Sequence, residues 1–255
     1  MKKTSLLIII AVILAASGII WYKAKKRIVA TSDVNTIIVG TNAEFQPFSF
    51  KENDVITGFD IDVVTEVLKR LGKKMVMKDM PFDALLPEIQ LGNIHIIAAG
   101  ITPTAERAQR ALFTRPHLLS DALVIISPKD KALTTLDELR NNTVVVNEGY
   151  TADTFMSEQP VNLLRLSSPA VSDGMLALES GRADAFVTAF YPMKPYFSKY
   201  DTNAFSISQI PGTEESSAFA ISKHYPELRD YIQATLDRMQ EDGTLDSLKK
   251  KWNLS

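Results

Sequence analysis

Three stretches of the chain bring polar, aromatic and charged residues together where a predicted strand gives way to a loop. The first is Thr41-Asn42-Ala43-Glu44-Phe45-Gln46-Pro47-Phe48. The second is Gly100-Ile101-Thr102-Pro103-Thr104-Ala105-Glu106-Arg107, and the third is Asn147-Glu148-Gly149-Tyr150-Thr151. The third precedes a helix predicted over 152–157. A loop that opens a helix presents unpaired backbone N–H groups and the positive end of a dipole, which suits a carboxylate. In α/β sheets the crevice beyond the carboxyl ends of the strands is also where ligands bind. Taken singly, each stretch has a plain reading, Arg107 for instance as a cation on a helix surface. Their order and spacing carry the weight.

Other chemistries have no support. His95, His117 and His224 are far apart, without metal-ligand spacing, and read as surface or strand residues. There is no phosphate-binding glycine loop and no G-x-S-x-G elbow. Cysteine is absent, which removes disulfides, thiolate ligands and a thiol nucleophile. No metal or cofactor is expected. Most acidic residues fall on predicted helix faces, where solvated charge is the default.

The elements that must position the three stretches follow an α/β pattern, short β-branched runs alternating with amphipathic stretches. Strands are predicted over 37–39, 74–78, 94–98, 123–126, 144–146, 185–188 and 218–221. Ile61, Val64, Leu68 and Leu71 recur at helical spacing, with Asp60 and Asp62 in the first turn and Gly72 as the stop. Further helices are predicted over 82–91, 135–140, 152–157, 172–179, 227–241 and 245–252. No repeat, low-complexity segment or long Gly/Ser linker interrupts the chain, so any two lobes are joined by short strands.

Composition sets the setting. A chain of 255 residues, 45% hydrophobic and 23% charged, can bury a full core and suits one large or two modest domains. The net charge of −2 hides an asymmetry, because the first 27 residues hold six Lys and Arg and no acid. The rest carries 22 basic against 30 acidic side chains. An acidic body without a basic stripe argues against a nucleic-acid partner. Lys2 and Lys3 precede an uncharged run from Leu6 to Ile20, extended by Trp21 and Tyr22, and Ala15-Ala16-Ser17 supplies small residues for cleavage. Residues 1–27 therefore read as a secretory signal or signal anchor. As a helix the run spans roughly 26 Å, just short of a hydrocarbon core. The cluster Lys23 to Arg27 resists translocation, but the balance favours export, to the periplasm or another extracytoplasmic site, free or membrane-anchored.

Seven ordered motifs carry a resemblance: Ile38-Val39-Gly40-Thr41, Phe45-x-Pro47-Phe48, Gly58-Phe59-Asp60-Ile61-Asp62, Phe82-Asp83-Ala84-Leu85, Ile101-Thr102-Pro103-x-x-x-Arg107, Phe113-Thr114 and Gly181-Arg182-Ala183-Asp184-Ala185, with Lys251-Trp252 closing the chain. From about residue 35 to the C-terminus the chain resembles the polar amino-acid-binding proteins of ABC importers, solute-binding protein family 3. The Thr41-Asn42-Ala43 opening and the Ile101-Thr102-Pro103 step look most like the arginine-binding branch. The resemblance implies a periplasmic-binding-protein-like α/β fold of type II. In it, 35–122 plus 219–255 would form lobe one and 123–218 lobe two, joined by two crossover strands and closing on ligand by hinge motion. It implies a monomer that captures a polar amino acid and hands it to an ABC permease in the cytoplasmic membrane.

By position, Arg107 would pair with the ligand α-carboxylate, Thr102 would donate to it, and Thr151 would reach it from lobe two. Phe45 and Phe82 would flank the ligand side chain, favouring a flat or cationic group. Asn42 takes the place where some cation binders carry an acid. Two departures stand out. The position at which relatives pair the ligand ammonium with an acid is Ala189 here, so Glu148 or another nearby acid takes over, or the ligand lacks an α-amine. Ala99-Gly100 replaces ligand-bonding hydroxyls, leaving backbone groups to compensate. The alternative within this resemblance is a cyclohexadienyl dehydratase-like enzyme, for which Glu148 or Glu44 would supply the catalytic carboxylate.

Overall fold

The computed structural model describes residues 35–167, 170–197 and 202–254. The segment 1–27, read above as an export signal, lies outside the described residues. Among those described, no helix is long and apolar enough to cross a membrane.

Strand β1 (Thr36–Thr41) pairs in parallel with β6 (Ile96–Ile97) at the centre of a five-stranded sheet. The chain expected as a strand over 94–98 is bonded beyond that short ladder. His95 N–H donates to Ile38 O at 2.8 Å and Ala98 N–H to Gly40 O at 3.0 Å. The sheet runs β5-β1-β6-β15-β7, with β5 at Lys74–Asp79, β7 at Leu112–Phe113 and β15 at Ala220–Ile221. Strand β15, returning from late in the chain, is antiparallel to both of its neighbours.

Helix α1 (Phe59–Arg70) buries Phe59, Val63, Val64, Val67 and Leu68 and ends on Lys69 and Arg70, opposite in charge to its acidic first turn. Its start explains the Gly-Phe-Asp motif. Gly58 has φ 136°, and a Cβ there would lie 2.2 Å from Phe48 O. The close approach lets Phe59 N–H and Asp60 N–H donate to Pro47 O and Phe48 O. The terminal Lys-Trp pair closes the same motif, since Lys251 Nζ and Trp252 Nε1 both donate to Asp62 Oδ2 at 2.7 Å. Helices α2 (Phe82–Leu91), α7 (Pro226–Glu241) and α8 (Thr244–Lys251) match their predicted spans within a residue or two. Gly243, in the left-handed region, separates the last two.

The second sheet runs β11-β10-β12-β9-β13, with β9 at Leu123–Pro128, β10 at Thr143–Asn147, β11 at Asn162–Leu166, β12 at Ala185–Ala189 and β13 at Phe205–Gln209. Strand β10 is parallel to β11 and β12, while β9 is antiparallel to β12 and β13. Alternate residues feed two cores. Leu123, Ile125, Val144, Val146, Ala185 and Val187 face one side; Val124, Ile126, Val145 and Phe186 face the other. Burial on both faces is why these strands read as unbroken apolar runs. Helices α4 (Thr151–Ser157) and α5 (Val171–Glu179) contact this sheet.

Between the sheets the chain crosses twice. Strand β8 (Leu118–Asp121) leaves the first sheet and β14 (Glu215–Ser217) returns to it, and the two pair antiparallel with a register shift between Glu215 and Ser216. The two-lobe arrangement is thus built on a paired crossing.

Some elements differ from expectation. The helix predicted over 135–140 is a set of turns. Glu138 Oε2 accepts from the backbone N–H groups of Thr134 (2.6 Å) and Thr135 (3.1 Å), as in a helix cap, but the turns are not extended into a helix. The hairpin strands β2 (Glu44–Phe45), β3 (Ser49–Glu52) and β4 (Val55–Thr57), helix α3 (Ala105–Arg110) and helix α6 (Phe190–Phe197) carry no periodic signature and were not expected.

Candidate functional site

Strand β2, the loop after β6 and the carboxyl ends of β10 and β12 meet at one cavity. Phe45, Phe82, Gly100, Thr102 and Arg107 line it from the first lobe; Asn147, Tyr150, Thr151, Ala152, Thr188 and Ala189 from the second; and Glu215 from the crossing strand. The void is about 10 Å³, room for about one water. Six of the eight residues singled out in the sequence (Phe45, Phe82, Gly100, Thr102, Arg107 and Thr151) thus face one space. Asn42 and Glu148 are not among its lining residues.

Arg107 is 7% exposed and sits in the short helix α3, whose N-cap Thr104 accepts the Arg107 N–H at 3.2 Å. Its guanidinium donates through Nη1 to Thr102 O and through Nη2 to Gly149 O, each at 3.0 Å, and lies 5.4 Å from the Phe82 ring centroid. A guanidinium has five N–H donors, so these bonds orient it without exhausting it. Burial lowers its pKa from the ordinary value, and the charge of Glu215 is the first of those that oppose the shift. Arg107 therefore stands buried on a cavity that an acid also lines.

The loop ahead of α4 is less open than its sequence implies. Gly149 N–H donates to Asp153 Oδ2 at 3.1 Å and Tyr150 N–H to Asn147 O at 3.3 Å. Asp153, held by Arg165 at 2.8 Å, already supplies one carboxylate at this helix end. Tyr150 projects from the loop across to the first lobe. Its ring lies 4.3 Å from that of Phe82 at an interplanar angle of 23°, and 5.1 Å from that of Phe45. Its hydroxyl donates to Asn42 Oδ1 at 3.3 Å, while Asn42 Nδ2 donates to Met80 O. Burial pushes the phenol pKa up, so the neutral form is the donor. Asn42 is thus tied up by the protein itself. Glu148 is exposed, with its carboxylate accepting from Ser167 at 3.3 Å. Glu44 is also exposed.

Beneath Gly100 lies a buried polar hub. Asp60, fully buried, accepts from Gly100 N–H (2.7 Å) and Ser217 Oγ (3.2 Å to each oxygen) and pairs with His117 Nε2 (2.9 Å). Gly100 has φ 63°, and a Cβ there would lie 3.0 Å from the Phe45 ring. The hub therefore fixes the cavity floor and ties it to both strands of the crossing at their first-lobe end. An aspartate, a histidine and a serine side by side invite comparison with a hydrolase triad, but the geometry fails. A relay needs the acid on one imidazole nitrogen and the serine on the other. Here both face Nε2, and the buried Nδ1 has no hydrogen-bond partner among the described residues. Among the described residues no group of His, Asp or Glu is arranged to hold a metal ion.

Sequence reasoning missed Glu215, Tyr150 and Asp60. Asp60 passed as a helix first-turn acid, and Tyr150 was part of a marked loop without a role. Glu215 carried one signal, an acid a short step ahead of the apolar strand predicted over 218–221. Ala189, flagged for lacking an acid, lines the same cavity as Glu215.

Residues 37–255 match the family described as bacterial extracellular solute-binding proteins, family 3. The chain is 30% identical over 219 residues to the arginine-binding extracellular protein ArtP of Bacillus subtilis (strain 168), covering 85% of each. Among solved structures it is similar to an ancestral arginine-binding protein bound to arginine (31% identity, TM-score 0.78, covering 86% of this chain and 98% of that one). It is equally similar to an ancestral amino acid-binding protein described as a precursor of cyclohexadienyl dehydratase (31% identity, TM-score 0.77, covering 88% and 99%). Two sheets joined by a paired crossing, a cavity closed between them, and a match over all of 37–255 agree: the chain belongs to the bacterial extracellular solute-binding proteins, family 3.

Proposed function

We propose that the protein is the extracytoplasmic binding component of an amino-acid ABC importer, capturing a polar α-amino acid between its lobes, with arginine the first candidate. The observation that carries this reading is the pair of opposite charges on one small cavity, Arg107 and Glu215. A zwitterion presents a carboxylate and an ammonium a few ångströms apart, and a desolvated site must offer a partner to each. Arg107 takes the carboxylate with Thr102 and Thr151 beside it. Glu215 takes the ammonium, standing in for the acid that Ala189 lacks. Glu148, exposed and bonded to Ser167, is not required for this role.

Mechanistically, residues 35–122 with 219–255 move as one lobe and 123–218 as the other. Ligand touches both only when they are closed, so its differential affinity shifts the population toward the closed shape that a permease reads. The reading is one of binding rather than catalysis. Glu44 and Glu148, the acids an enzymatic alternative would use, are exposed and outside the cavity lining. A monomer delivered across the cytoplasmic membrane completes the proposal, with the arginine preference drawn from the relatives' names.

Titration calorimetry with the common amino acids and their des-amino analogues tests it. Arg107→Ala should abolish binding of every carboxylate ligand. Glu215→Gln should weaken α-amino acids about tenfold while leaving des-amino acids unchanged, in line with a charged hydrogen bond of about 1.5 kcal/mol. Equal loss for both ligand classes sinks the ammonium assignment. Turnover of prephenate to phenylpyruvate would establish the enzymatic alternative instead.

A further inference from the structure

The slot between Phe45 and Phe82 is filled by the protein itself. The Tyr150 ring stacks on Phe82 and tilts against Phe45, its hydroxyl reaches Asn42 at the end of the slot, and the aromatic body packs on the lobe-one core of Phe82, Leu85 and Ile89. Two ties across the lobes accompany it: the Tyr150–Asn42 bond and the bond from Arg107 Nη2 to Gly149 O, the residue next to Tyr150. We infer that Tyr150 is a displaceable latch, an internal occupant of the side-chain subsite that ties the two lobes together and sets selectivity by competing with the side chain of the ligand.

The inference rests on the binding role proposed above and adds a rule to it. A flat or cationic side chain gains the aromatic walls only by driving Tyr150 out. A ligand with a short side chain, such as alanine, does not need the slot: it leaves Tyr150 stacked on Phe82 and requires only that the one-water void widen for its backbone. Removing the ring therefore acts in opposite directions. It frees the slot for arginine, and it strips a closing contact from the complex with alanine. Asn42 follows the same logic. Its Oδ1 accepts from Tyr150 while the ring is in its slot and becomes available to a cationic donor when the ring leaves.

The test compares the wild type with Tyr150→Ala and Tyr150→Phe by two readouts. Small-angle scattering of the ligand-free proteins reports closure without any ligand. The radius of gyration should rise in Tyr150→Ala and stay near wild type in Tyr150→Phe, which keeps the stack and loses only the Asn42 bond. Titration with L-arginine and L-alanine should show the arginine-to-alanine affinity ratio rising about tenfold in Tyr150→Ala, as loss of one aromatic stack allows. An unchanged radius of gyration in Tyr150→Ala overturns the latch, and a ratio that stays level or falls overturns the competition. If the wild type binds no amino acid at all, the binding role fails, and the scattering result alone still decides whether Tyr150 holds the lobes together. A thermal melt of each variant, with Tyr150→Phe as the conservative control, separates a lost latch from a lost fold.

Discussion

The two lobes hold their halves of the cavity by different means. In the second, the strands β9, β10 and β12 alternate side chains into two dry cores, and site residues such as Asn147 and Ala189 simply cap strand ends. In the first, the ladder between β1 and β6 is short, and the floor at Gly100 hangs on the carboxylate of Asp60. One half is positioned by packing and the other by a buried polar hub. Packing is local and tolerant of small adjustments, whereas a buried carboxylate holds three partners at once and fails for all of them together.

Disrupting each support separately tests that contrast. Phe186 is fully buried with its ring against Gly174, and Phe186→Ala should cost about 4 kcal/mol by urea denaturation. Ligand affinity of the folded fraction should be little changed, because no cavity residue depends on that ring; a large affinity loss would contradict purely local support. Asp60→Ala should cost about 3 kcal/mol by stranding the Gly100 N–H, His117 and Ser217. It should also weaken ligand binding, since the floor and the crossing both lose their anchor. Unaltered affinity there would reduce the hub to a stability element.

The smallest effect concerns pH and the same sheet. His95 Nδ1 accepts the Ile38 N–H at 2.9 Å, which requires that nitrogen unprotonated, and burial lowers the pKa from 6.5. The unfolded imidazole then takes its proton at higher pH than the folded one. Stability is full above pH 6.5 and declines as pH falls from there toward the folded value. Thermal melts between pH 7.5 and 5.5 should show the decline in the wild type and a flatter profile in His95→Gln; parallel profiles would exclude His95 as its source.

Much of this was legible in the sequence because it depends on local chemistry. Helix α2 was readable from residue 82 to residue 91, since Gly92 ends it in the left-handed region. The dry strands were readable as apolar runs, and the resemblance located Arg107, Phe45 and Phe82, which do share one cavity. What stayed hidden depends on long-range partners. Glu215 meets the cavity only because β14 returns across the crossing, and Asp60 is a hub only because Gly100, His117 and Ser217 converge on it from 40 to 157 residues away. Tyr150 was hidden for another reason: a loop aromatic has no periodicity, and only the opposite lobe gives it a place.

The register shift between Glu215 and Ser216 has a mechanical consequence. A bulge re-aims a side chain, and this one turns an acid toward the cavity from the strand pair about which the lobes would rotate. A point on a pivot has no lever arm. In the proposed hinge motion Glu215 would therefore keep its position as the lobes open and close, while Arg107 and Gly149, which meet across the gap, would travel the full arc. In the proposed binding mode the ammonium of an incoming ligand would find its anchor before the lobes close, and closure would then bring the far wall to a guest already moored at the axle.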